Sequence, residues 1–171
     1  MTNSSNKQGK IILVGAGPGD AGLFTLQGKH WLQKADVVLF DHLVNEDLLR
    51  FTQKETEIIY VGKKEGVASL EQEAINELLT KKAKEGKIVV RLKGGDPFIF
   101  GRGGEEIQAA NKFQIPFLIV PGITSVTGVA AYAGIPLTHR HLSSTLSVIT
   151  GSNEKNQADI HIDWEKIASR S

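Results

Sequence analysis

Apolar residues fall along this chain in short unbroken runs at 11–14, 37–40, 58–61, 88–90 and 117–120. Runs of about four residues, rich in β-branched side chains and lacking polar alternates, mark strands, and those at 11–14, 37–40 and 88–90 read as covered on both faces. Between them the apolar spacing lengthens to that of a helix. Leu23, Leu26 and Trp31 share a face in 23–35, and 46–51 suits a short helix. The clearest helix is 70–85, with Ile75, Leu78 and Leu79 inward, Ser69 and Gln72 at capping-box spacing, and Gly86 as the stop. A further helix is expected over 105–113.

Strands alternating with helices in this way predict an open, mostly parallel five-stranded α/β lobe. It occupies 10–120, behind a polar leader at 1–9 expected to be disordered. The pattern breaks at Pro121-Gly122. A helix of small residues (123–133), a turn (134–136), an alternating strand (145–150) and a helix beginning at Trp164 follow. Residues 121–171 therefore read as the start of a second, incomplete α/β lobe.

In a parallel α/β sheet, ligands lie beyond the carboxyl ends of the strands. The turns leaving those ends are glycine-rich or charged: 15–20, 41–42, 62–64, 93–104 and 121–125. The densest stretch is Arg91-Leu-Lys-Gly-Gly-Asp-Pro-Phe-Ile-Phe-Gly-Arg-Gly-Gly-Glu-Glu106. So many glycines cost conformational entropy and contribute no packing, which favours a binding loop over a plain connection. Gly94 and Gly95 allow backbone close to a ligand, Asp96 is an acceptor, and Arg102 is a permanent cation.

Composition narrows the chemistry. The 171 residues are 40% hydrophobic and 23% charged with a net charge of +1, an ordinary globular balance with no overall pull toward nucleic acid or an anionic membrane. No cysteine is present, which removes disulfides, zinc–thiolate sites and thiol nucleophiles. No apolar run approaches the ~18 residues of a bilayer span, and the leader has no signal-peptide core, so a cytoplasmic protein is expected. His139 and His141 lack an acidic or thiol partner, and no metal is expected.

Gly15-Ala-Gly-Pro-Gly-Asp20 suggests a dinucleotide-binding turn, with Asp41 about where a ribose-binding acid would sit. The match fails at two positions. The third glycine is replaced by Asp20, which repels phosphate, and Pro18 removes an amide that would face one. A ligand without phosphate, such as S-adenosylmethionine, suits the turn better.

Together with Val61-Gly-Lys63, Arg91 through Glu106, Val120-Pro-Gly-Ile-Thr124 and Ala133-Gly-Ile-Pro-Leu-Thr-His-Arg140, this motif set resembles the tetrapyrrole methylases. Among them it is most similar to the uroporphyrinogen-III C-methyltransferases, over residues 10 to about 168. The resemblance implies methyl transfer from S-adenosylmethionine to a tetrapyrrole, giving precorrin-2 for sirohaem and cobalamin. It implies cofactor contacts at Pro18, Gly94, Gly95, Asp96, Ile99, Thr124 and Ser125. Asp41 becomes a proton acceptor, Lys63 a proton donor, and Arg102, Glu105 and Arg140 line the substrate pocket. It also implies a homodimer once the second lobe is completed.

Plainer readings stand beside these. Asp41 could cap its turn, Lys63 and Lys64 could be a solvated pair, and Glu105 and Glu106 could serve a helix N-terminus. Thr124 and Ser125 could simply permit close packing. The alternatives at the level of function are a methylase acting on another precorrin or on RNA, and a shortened, inactive cofactor-binding chain.

Overall fold

The computed structural model describes residues 8–62, 71–150 and 165. Five strands, β1 (Lys10–Gly15), β2 (Val37–Phe40), β3 (Glu57–Tyr60), β4 (Ile88–Lys93) and β5 (Phe117–Val120), form one sheet in the order β3-β2-β4-β1-β5. Every pairing is parallel, so the expected mostly parallel sheet is wholly so. Among the described residues the sheet is accompanied by helices α1 (Leu26–Leu32), α2 (Gln72–Lys84), α3 (Gly103–Lys112) and α4 (Ser125–Tyr132), with 3-10 turns at Ala21–Leu23 and Glu46–Phe51.

The strand alternation divides the core into two layers. Ile12, Val14, Val38, Phe40, Val90 and Leu92 face one way and pack with Leu32 of α1 and with Leu48. Ile11, Leu13, Val37, Leu39 and Val89 face the other way, against Ile75 and Leu79 of α2 and Ala110 of α3. Fully burying side chains of this size is worth about 1.5–3 kcal/mol each. The central strands are therefore the most strongly held part of the lobe.

The adjacent strands β1 and β4 lead into helices on opposite faces, α1 on the first layer and α3 on the second. This is the topological switch at which open α/β sheets leave a crevice for ligands.

Three local expectations change. The helix predicted over 23–35 begins only at Leu26, because the Asp20 side chain accepts from Gly22 N and turns the chain through a 3-10 segment, after which Thr25 caps α1 by accepting from Gly28 N. Leu26, placed on the inner face by its spacing, is 87% exposed, and Leu32 is buried instead. The capping box on α2 is not seen: Ser69 lies outside the described residues, and the residue ahead of the helix, Glu71, makes no side-chain cap bond. Gly86 does end α2 with φ +82°, donating to Ala83 O. The strand predicted over 145–150 does not form, since alternation supplies a face but no described neighbour offers a ladder.

The chain divides into two compact units after Ser125. In the second, α4 ends at a turn where Ile135 N donates to Ala130 O and Gly134 takes φ +70°. A tight loop closed by pairing of His139 with Ser143 follows. The expected disordered leader and the helix at Trp164 fall almost wholly outside the described residues.

Candidate active site

The turns leaving β1, β4 and β5 meet in backbone rather than side-chain contact. Beyond its strand, Gly17 pairs with Gly95 through two hydrogen bonds of 2.8 and 3.2 Å. A Cβ on Gly15 would lie 2.5 Å from Gly122 N and Cα and 2.7 Å from Gly95 O. A Cβ on Gly122 would collide with Gly95 O and with Gly15. Gly95 itself has φ +64°, which side-chain-bearing residues adopt at a cost. Three glycines from three turns thus form one floor of bare peptide.

Asp96 fastens this floor. Its Oδ1 accepts from Phe98 N at 2.8 Å and its Oδ2 from Gly122 N at 3.0 Å, tying the loop after β4 to the turn after β5. Thr124 is the nearest neighbour of the open side of Gly95, 3.9 Å from where a Cβ would stand. Pro18 is half-buried on the β1 turn. The neighbouring turns join the same edge. Asn45 Nδ2 donates to Gly19 O at 2.8 Å, Gly94 leaves room only for the backbone and Cβ of Leu43, and Gly62 abuts His42 N. Five strand ends therefore contribute to one continuous rim, as the sequence pattern predicts.

Below the rim lies a chain of charges. Arg91 and Lys93, two apart on β4, project from the α2–α3 face and are both buried. Arg91 Nε donates to Glu106 Oε1 at 3.2 Å, Nη1 to Leu92 O at 2.7 Å, and Nη2 to Asp41 Oδ2 at 2.8 Å. Lys93 Nζ stands 3.0 Å from both Glu106 oxygens. Leu43 N donates to Asp41 Oδ1 at 3.0 Å. Side-chain exposure rises from 0% at Glu106, through 4% at Arg91 and 5% at Lys93, to 19% at Asp41. Burial, and then the neighbouring Arg91, lower the pKa of Lys93, opposed by Glu106 and Asp41. Two cations and two carboxylates offset one another here, which keeps the desolvation cost bearable.

The other sequence-derived positions divide. Ile99 is exposed on the loop between Phe98 and Phe100, both also exposed. Ser125 opens α4 and is exposed. Arg102 and Glu105 pair in a fork, Nε to Oε1 at 2.7 Å and Nη2 to Oε2 at 2.9 Å. That pair lowers the pKa of Glu105. Phe100 and Arg102 hold φ of 51° and 55°, a left-handed conformation that non-glycine residues adopt at a cost, commonly near functional sites. Arg140 is exposed in the second unit, in the loop between His139 and Ser143. Lys63, with Lys64, lies outside the described residues.

The sequence reading did not single out Arg91, Lys93 or Asn45, and gave Glu106 only a helix-terminal role. The signal was legible: charges at alternate positions of an otherwise apolar central strand need buried partners. An open hollow of about 410 Å³ within the second unit is lined by Thr127, Ala130, Ala131, Ile135, Pro136 and Leu137. It has no titratable group.

Residues 10–170 match the family model of the tetrapyrrole (corrin/porphyrin) methylases. The chain belongs to this family. It is 51% identical over 159 residues to a uroporphyrinogen-III C-methyltransferase of Methanocaldococcus jannaschii, matching 93% of this chain and 66% of that protein. It is 56% identical over 168 residues to a siroheme synthase of Zymomonas mobilis, matching 98% of this chain and 35% of that protein. Among solved structures, it is similar to the uroporphyrin-III C-methyltransferase of Thermus thermophilus complexed with S-adenosyl homocysteine. The TM-score is 0.66 at 43% identity, covering 80% of this chain and 53% of that one. The chain thus spans 66% of the Methanocaldococcus jannaschii protein and about a third of the siroheme synthase.

Proposed function

We propose that the protein is an S-adenosylmethionine-dependent C-methyltransferase acting on uroporphyrinogen III to give precorrin-2. The observation that carries this reading is the common glycine floor after β1, β4 and β5, with Asp41 on the same rim, in a chain of the tetrapyrrole methylase family. The likeness to a relative complexed with S-adenosyl homocysteine supports the choice of donor.

The residues present fit that donor. The floor is bare peptide, open over Gly95, so a flat group such as adenine can lie close against it without meeting a side chain. Pro18 and Asp20 occupy the positions where a phosphate would need an amide and no negative charge. Pro18, Gly94, Gly95, Asp96, Ile99, Thr124 and Ser125 would hold it, with Asp96 acting mainly by fixing the turns. When bound, S-adenosylmethionine supplies a methyl group already activated on a sulfonium.

The protein's own work is then alignment and proton management. A pyrrole carbon of the substrate takes the methyl group with its π electron pair, and one proton must leave the ring system. Asp41, held by Arg91 and Leu43 N with an edge open to solvent, takes that proton. Lys63, the proton donor that the resemblance implies, would return a proton to the ring system for any further one that Asp41 removes as the double bonds rearrange, so that the net loss stays at one. Arg102, Glu105 and Arg140 line the tetrapyrrole site, where arginine's fork suits the substrate's carboxylates. The reading includes a cytoplasmic location, no nucleic-acid or membrane partner, and a homodimer once the second lobe is completed. Among the described residues, no helix is long and apolar enough to cross a membrane.

Incubation with both substrates should give the absorption of precorrin-2, and calorimetry with S-adenosylhomocysteine should give saturable binding. Saturable binding without product would reject methyl transfer to uroporphyrinogen III by this chain and favour the inactive cofactor-binding reading. Neither binding nor product would reject the whole reading.

A further inference from the structure

We propose that Arg91 is a positioning residue for Asp41, and that Glu106, not Asp41, is its anchor. This rests on the assignment of Asp41 as proton acceptor given above.

Arg91 is committed at two of its three nitrogens before it reaches the rim. Its Nε is held by Glu106, whose side chain is fully buried on α3, and its Nη1 by Leu92 O. The remaining nitrogen, Nη2, is thereby aimed at Asp41 Oδ2. A guanidinium is a rigid planar fork, so two fixed nitrogens determine the direction of the third. Lys93 donates to the same oxygen, Oε1, and at 3.0 Å from both carboxylate oxygens it balances the charge of Glu106. Gln72 of α2, with Nε2 at 3.4 Å from Oε1, closes the group from the second helix. Orientation therefore runs outward from Glu106 through Arg91 to Asp41, along the gradient of exposure.

Two consequences follow for Asp41. Its carboxylate has one oxygen on Arg91 and one on Leu43 N, so its plane is fixed relative to β2 and β4. The lone pairs left over point in set directions, and a proton acceptor needs that alignment with the substrate carbon chain. A misplacement of about 1 Å in such a group costs about 100-fold in rate.

The test is a double-mutant cycle on methyl transfer to uroporphyrinogen III, combined with side-chain NMR. Arg91→Gln should lower kcat by about 100-fold, with KM and the affinity for S-adenosylhomocysteine unchanged. Asp41→Asn should lower kcat by about 10²–10⁴-fold. The double variant should be no worse than Asp41→Asn alone, because Arg91 acts through Asp41. Multiplying losses, or a loss appearing in KM, would overturn the proposal. Full activity in Asp41→Asn would instead reject the assignment of the acceptor. Where Arg91→Gln does not fold, Arg91→Lys keeps the charge without the fork and should still lose kcat; wild-type kcat in Arg91→Lys would overturn the proposal.

Side-chain nitrogen spectra decide the direction of anchoring without any turnover. The Arg91 Nε–H should exchange slowly in the wild type and in Asp41→Asn, and at least about tenfold faster in Glu106→Gln, where the charge-assisted bond is lost. Release by Asp41→Asn with no effect of Glu106→Gln would overturn it.

Discussion

Replacing Gly122 by alanine tests the glycine floor directly. The added Cβ would meet Gly95 O, Gly15 Cα and Gly15 C, all backbone atoms of two other turns, with none belonging to a flexible side chain. Relief would require the carboxyl ends of β1, β4 and β5 to move apart, straining the Gly17–Gly95 pairing and the bond from Gly122 N to Asp96. Overpacking of a close-packed site costs about 1–3 kcal/mol, and rigid surroundings place this variant near the upper end. For a chain of this length that is a fall of about 6–12 °C in thermal midpoint. Gly104→Ala is the matched control. It lies on α3, is exposed and has nothing within 4 Å of a new Cβ. Alanine is favoured there by up to about 1 kcal/mol through helix propensity. Differential scanning calorimetry of the two variants against the wild type reads both signs. A Gly122→Ala midpoint equal to that of the wild type would refute the close approach of the three turns.

Other outcomes follow from the ion pairs and the loop tie. Asp96→Ala should leave Phe98 N and Gly122 N unpaired, costing about 1–3 kcal/mol, and hydrogen exchange should speed up at these two amides before it does in β4. Burial lowers the folded-state pKa of Lys93, so the unfolded chain binds more protons between that value and the ordinary lysine range. Stability should therefore rise with pH across that window relative to Lys93→Met, as urea titrations on the alkaline side would read. The Lys82 hydrogen bond lowers the pKa of Glu57, so its stabilisation is present above the ordinary glutamate pKa and lost as pH falls through the folded value. The pair is solvent-accessible, so Glu57→Gln should cost no more than about 1 kcal/mol at neutral pH, and nothing measurable in high salt.

Much of this architecture could be read from hydrophobic pattern alone. The run 37–40 is strand β2 to the residue, fully buried, and 117–120 is β5 likewise, although it lies at the sheet edge with Phe117 exposed. An unbroken apolar run bounded by polar residues and proline or glycine carries no competing helical signal. Leu26 was misplaced because helical spacing does not say where a helix begins, and Asp20 and Thr25 decide that locally. The strand expected over 145–150 was lost for the opposite reason. Its pattern describes a surface, whereas a strand also needs a neighbour.

At the site, glycine density located the rim. It could not show that Gly15, Gly95 and Gly122 touch, since that contact depends on strand order β4-β1-β5. Asp96 was visible as an acceptor, but its two amide partners lie on different turns. Arg91 and Lys93 sat in plain view within β4, yet their charged partners are 13 to 50 residues away in sequence.

The ionic cluster on β4 has a consequence for how this protein could be redesigned. Hydrocarbon side chains of matched volume in place of Arg91, Lys93 and Glu106 would spare the fold the expense of dehydrating three charges, and replacements of that kind often leave a protein as sturdy or sturdier. Optimising for heat resistance alone would therefore tend to erase the wiring behind Asp41 while leaving the sheet intact. With Asp41 in its proposed role, robustness and chemistry pull in different directions at this strand, and a library screened only for survival on heating would drift away from the arrangement that the proposal requires.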